Sequence, residues 1–127
     1  MTCREIYNAA LRLLCESAEN ALDYEDRAGY LLATFCTETS AIDNRYRAEN
    51  GEGPQPSFAK LYMELDSTFP LSDILLPAAE FYLAAMLAID ENEELSDRYF
   101  AKYTDALAQI VQPSAKTAPI KDRYGLL

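Results

Sequence analysis

Apolar residues recur along the N-terminal part of the chain at helical intervals. In residues 2–18, TCREIYNAALRLLCESA, they fall at Ile6/Tyr7, Ala10/Leu11, Leu13/Leu14 and Ala18. Steps of three and four keep one face of a helix apolar. Thr2 and Glu5 stand at the interval of a capping box, in which each side chain satisfies the other's backbone amide. The spacing predicts a first helix over residues 3–18. A second stripe, Ala28, Leu31, Leu32, Phe35, Thr39, Ile42 and Tyr46, predicts a longer helix over 24–48. Arg45 and Arg47 lie near its C-terminal end, where the helix dipole favours cations. Gly29 weakens it slightly, close to its start.

The pattern breaks at GEGPQPS, residues 51–57, because clustered Gly and Pro cannot sustain a helix. This is the most exposed loop expected. Modest periodicity through Leu61, Tyr62 and Leu65 then suggests a short helix or turn over 58–66. Ser72 and Asp73 suit another short turn. Pro77 suits the first turn of a new helix, where its missing N–H costs nothing. From there to Ile89 the chain reads PAAEFYLAAMLAI, with Glu80 as its single charge. A helix apolar all round belongs in a core or a membrane. This one falls short of the roughly 20 apolar residues a span needs, so it reads as the buried central helix. A last helix is expected over 94–111, with Leu95, Tyr99, Phe100, Tyr103, Ala106, Leu107 and Ile110 facing inward. Pro113 stops it.

The fold class that follows is all-α: a compact bundle of four main helices plus a short helix, with an extended C-terminal tail. Residues 1–112 form a single helical domain. Residues 113–127 form the tail, which has an apolar end and no partner within its own sequence. A length of 127 residues suits one such core, and an apolar content of 50% excludes a disordered chain.

Charge and chemistry narrow the function. The net charge of −10 argues against gripping a phosphate backbone, which takes clustered Lys and Arg. There is no histidine, which removes the usual general base and the commonest zinc ligand. Cys3, Cys15 and Cys36 form no CxxC pair and fit free thiols in a reducing compartment, with Cys15 and Cys36 as packing residues on helices. No secretory h-region is evident. Asp90, Asn92 and Glu94 alternate like the start of an EF-hand loop. Its sixth and twelfth positions, which need Gly and Glu, hold Leu95 and Ala101. The acids read instead as a solvated turn that favours the next helix N-terminus. Nothing resembles a phosphate-cradling Gly-rich loop. No metal, cofactor or catalytic residue is expected. Nine tyrosines lean towards a protein that assembles, since Tyr suits interfaces.

The stretch LDSTFPLSDILLPAAEFYLAAMLAIDENEELSDRYFAKYTDAL, residues 65–107, followed by PIKDRY at 119–124, resembles tailed-phage and prophage head–tail connector (adaptor, neck) proteins. The matching stretch covers about a third of the chain and consists of residues that pack. The resemblance implies a small all-α protomer that assembles as a ring between portal and tail, with DNA passing through but not tightly bound. It implies portal or tail proteins as partners, no enzyme activity, and a place in the virion or in a bacterial cytoplasm. In that family neighbours are met through loops and tails, which here would be Gln55 and Phe58 after the Pro-rich turn and Ile120, Tyr124 and Leu126 in the tail. A different reading of the same fold and charge is an acidic helical interaction module, a regulator or inhibitor that binds a basic surface. A carboxylate-based enzyme is the third.

Overall fold

The computed structural model describes residues 1–15, 22–55, 58 and 60–111, the side chains of Leu22 and Asp23 excepted. Four helices make up the described body: α1 (Cys3–Leu13), α2 (Leu22–Glu49), α3 (Leu76–Ala88) and α4 (Glu93–Val111). A 3-10 turn, Asp73–Leu75, leads into α3. Among the described residues there is no strand, only an isolated antiparallel bridge between Thr2 and Thr68, and no helix long and apolar enough to cross a membrane. The fold is all-α, as the periodicity predicts.

The capping box opens α1: the Thr2 amide donates to Glu5 Oε1 at 2.8 Å and the Glu5 amide to Thr2 Oγ1 at 3.3 Å. Its next free amides are met from far along the chain. Cys3 N–H donates to the Ser67 carbonyl at 2.9 Å and Arg4 N–H to the Leu65 carbonyl at 2.7 Å. Orphan donors of a first helical turn need such acceptors. The helix stops at Leu13, short of the predicted residue 18, because Cys15 turns into the left-handed region at φ 58°. Cys15 is exposed there, against the expectation that it packs, whereas Cys3 and Cys36 are buried.

The end of α2 follows from Gly51, at φ 75°. Glu52 N–H reaches back to the Arg47 carbonyl at 2.7 Å and Gly51 N–H to the Ala48 carbonyl at 3.3 Å. This is the Schellman arrangement, which needs a residue at ease with positive φ.

α3 is the axis of the body. Ala78, Ala79, Tyr82, Leu83, Ala84, Ala85, Leu87 and Ala88 are all buried, and α1, α2 and α4 all lie against it. Its alanines let the neighbours come close, while Pro77 sits in its first turn as expected. α4 docks mainly on α3. Asn92, not the acids beside it, caps α4, its Oδ1 accepting from Leu95 N–H at 3.0 Å. Asp90, Glu91, Glu93 and Glu94 are exposed around that cap. The inner face of α4 is the predicted one at Tyr99, Tyr103, Ala106, Leu107 and Ile110, which are buried or packed against the core, and differs at two positions. Ser96 is buried and donates to the Ala85 carbonyl at 2.7 Å, and Phe100 is left 42% exposed.

Of the short helix or turn expected over 58–66, no helix forms among the described residues and a turn does. The described residues of that stretch are irregular or extended, with a turn at Leu65–Asp66. Met63, Leu65, Phe69 and Leu71 are buried, a period close to two that suits extended chain rather than helix. The segment is fixed by its amides: Met63 N–H donates to the Gly29 carbonyl at 3.0 Å and Phe69 N–H to the Met1 carbonyl at 2.8 Å. Gly29 is therefore a contact point. A Cβ there would fall on the Tyr62 ring and 2.8 Å from the Met63 carbonyl oxygen. Gly29→Ala is expected to push this segment off α2 and cost about 1–3 kcal/mol. A urea midpoint equal to that of the parent protein would contradict the close approach.

Candidate functional site

Three places hold the side chains that could act, and each follows from how the elements meet. The first is a buried polar junction. Asp43 lies on α2 one turn after Thr39 and two after Cys36, so the same face that buries those residues buries its carboxylate, which is fully covered. Oδ2 accepts from Arg47 Nε at 2.8 Å, and Oδ1 accepts from the Ser72 amide at 2.9 Å. Burial pushes the Asp43 carboxyl up, but the Ser72 and Arg47 donors outweigh it and hold it below the ordinary carboxylate range. Arg47 also reaches Glu52 at 3.3 Å. The Ser72 hydroxyl, buried too, makes no hydrogen bond of proper geometry, so the amide is the firm contact. The Ser72–Asp43 hydrogen bond ties the turn before α3 to the C-terminal half of α2, and Arg47 holds the carboxylate in place.

Gln55 belongs to the same neighbourhood. Its amide donates to Asn44 Oδ1 and its side-chain Nε2 to the Pro70 carbonyl, both at 2.9 Å. Glu52, Gly53 and Pro54 before it are exposed. Phe58 is partly buried against the core. Both residues named from the loop thus engage their own protomer. Ile120, Tyr124 and Leu126 lie outside the described residues.

The second place is a groove between α1 and α3, a cavity of about 370 Å³. Asn8, Arg12, Leu76 and Glu80 line it, with Glu5, whose carboxylate is held by the capping box. Burial raises Glu80 while Arg12 pulls the other way.

The third is an exposed aromatic patch. Tyr30, on α2, is 58% exposed and meets Tyr62 edge to face at 4.8 Å. Leu61 beside it is 87% exposed, the most exposed large apolar side chain described. Acids border the rings. Burial raises the Tyr62 hydroxyl, and the charges of Glu64, Asp26 and Glu25 raise it further. Arg4 spans part of this rim, 2.9 Å from Asp66 and 3.6 Å from Glu25.

No known family, curated protein or solved structure matches this chain.

The two buried thiols are not activated nucleophiles: burial pushes Cys36 up to about 12 and raises Cys3 as well. Among the described residues no three Cys, Asp or Glu side chains gather where a metal ion could bind.

Two of these features escape the sequence. Asp43 was visible as a charge at the fourth position after Thr39 and the seventh after Cys36, with Arg47 one turn on. The patch had only one signal, a Gly beside a Tyr in a helix. Leu61 and Tyr62 belong to a stretch whose modest periodicity suggests only a short helix or turn.

Proposed function

We propose that the protein is a structural component of a tailed phage or prophage, a head–tail connector or neck protein that assembles as a ring between portal and tail. The observation that supports this reading most is where the connector-like stretch, residues 65–107, falls in the fold. It makes one continuous unit: the extended segment that ties down the N-terminus, the 3-10 turn, the buried α3 and the helix α4 that docks on it. Residues that resemble a family's pattern are here those that set the body's shape. The net charge of −10 fits a channel that lets DNA slide, since such a surface repels phosphate. The exposed Tyr30 and Leu61 fit a protomer with neighbours to meet.

Electron microscopy of the concentrated protein, alone and with a portal ring, tests the reading. Rings that stack on the portal are the expected result. Particles that stay single and leave the portal bare would overturn it. Stable binding to a basic nucleic-acid enzyme, with no assembly, would favour the acidic regulator instead.

A further inference from the structure

The aromatic patch has a chemistry of its own, and one segment of the chain matches it. Tyr30 and Tyr62, ring against ring, with the exposed Leu61 next to Tyr62 in the chain, offer apolar surface bordered by Glu25, Asp26, Glu64 and Asp66, and Arg4 is paired with Glu25 and Asp66. An occupant must bring apolar side chains to cover the rings and cations to meet the rim. A second copy of the same patch would bring four more acids, so a two-fold contact here repels itself.

The chain after Val111 has the complementary composition. Residues 112–127, QPSAKTAPIKDRYGLL, hold Lys116, Lys121 and Arg123 against Asp122 alone, while the whole chain carries −10. Ile120, Tyr124, Leu126 and Leu127 are set among those cations. The segment is the basic, aromatic-bearing part of an acidic protein.

Its place of origin is also informative. α4 starts with Leu95 beside Tyr24, at the N-terminal end of α2. It passes Phe35 at Tyr103, 6.1 Å between rings, and so runs alongside α2 towards the Asp43 end. Val111 therefore leaves the body away from Tyr30. Thirteen residues separate it from Tyr124, a reach of up to about 43 Å when extended. With the patch and the root of the tail at different places on one protomer, a tail that docks on another copy makes a head-to-tail contact, the kind that closes into rings.

We propose that residues 116–127 of one copy dock on the Tyr30–Leu61–Tyr62 patch of the next, with Lys121 and Arg123 facing its acidic rim. This rests on the assembly reading above and names the contact that would carry it.

Full-length variants test it by sedimentation velocity. Leu61→Asp spoils the patch, and Lys121→Glu with Arg123→Glu and Tyr124→Ala spoils the tail. All are surface or terminal changes, so circular dichroism melts should match the parent. Each variant alone is expected to need a concentration about ten-fold higher or more to associate. An equimolar mixture should form a complex of two chains, because one good tail and one good patch remain between them. A parent protein that assembles while both variants assemble equally well would overturn this contact and leave the ring reading standing. A parent protein that never assembles would overturn both. Full association lost in each variant but not regained on mixing would overturn the head-to-tail pairing. Displacement of the contact by a short poly-lysine peptide as readily as by a synthetic 114–127 peptide would replace the tail with a generic basic partner.

Discussion

Replacing Asp43 with Ala is expected to destabilise the protein by about 3 kcal/mol, the lower end of what removal of one partner from a buried ion pair costs. Two donors lose their acceptor at once. The Ser72 amide is left unsatisfied, which alone costs about 1–3 kcal/mol when buried. Arg47 keeps Glu52 and some access to water, which is why the loss stays at the lower end. Against a total stability of about 5–15 kcal/mol this is a large fraction. It should lower the melting temperature by roughly 10 °C. The pH dependence has a definite sign. The folded Asp43 carboxyl titrates below its ordinary value of 3.8. Its contribution is therefore fully present above that value and is lost as pH falls through the lower folded one. Asp43→Asn removes this titration. Its melting temperature should fall less than that of the parent between pH 5 and pH 2.5. Parallel falls would show that Asp43 is not held as described.

Phe35→Ala should be at least as damaging, about 3–5 kcal/mol. Phe35 is fully buried where α2, α3, α4 and the extended segment meet. Its ring lies 5.6 Å from Tyr82, 6.1 Å from Tyr103 and 6.3 Å from Phe69. Removing it opens a cavity and strips three aromatic contacts together, and the neighbours belong to separate elements that cannot all collapse inward. Phe35→Leu keeps much of the volume and should recover more than half the loss. Chemical denaturation of the two variants measures the difference. Equal losses would mean that ring contacts, not filled volume, set the stability at this point.

The helices were legible wherever local periodicity and burial agree. α2 runs over Leu22–Glu49 against an expected 24–48, and α3 opens around Pro77 as anticipated. What stayed hidden depended on contacts between distant parts of the chain. The stretch Leu61–Leu71 held enough apolar residues at mixed intervals to pass for a short helix. Its Met63, Leu65, Phe69 and Leu71 series has a period near two, and the amides of Met63 and Phe69 are spent on Gly29 and Met1. Nothing local announces those partners. Ser96 shows the same limit: it is buried with its hydroxyl donating to the Ala85 carbonyl, a partner that belongs to α3. The tyrosine excess points towards assembly, yet Tyr82 and Tyr103 are buried in the core, and among the described residues Tyr30 is the tyrosine that stands 58% exposed. Of the residues first named for contact with neighbours, Gln55 turns out to brace its own loop.

The proposed function turns on assembly. Sedimentation equilibrium of the full-length chain, from low micromolar to near-millimolar concentration, measures it directly. A connector protomer should give a discrete oligomer whose mass is a fixed multiple of 14.3 kDa, larger than a dimer and constant once formed. A single species of 14.3 kDa at every concentration would contradict the ring reading.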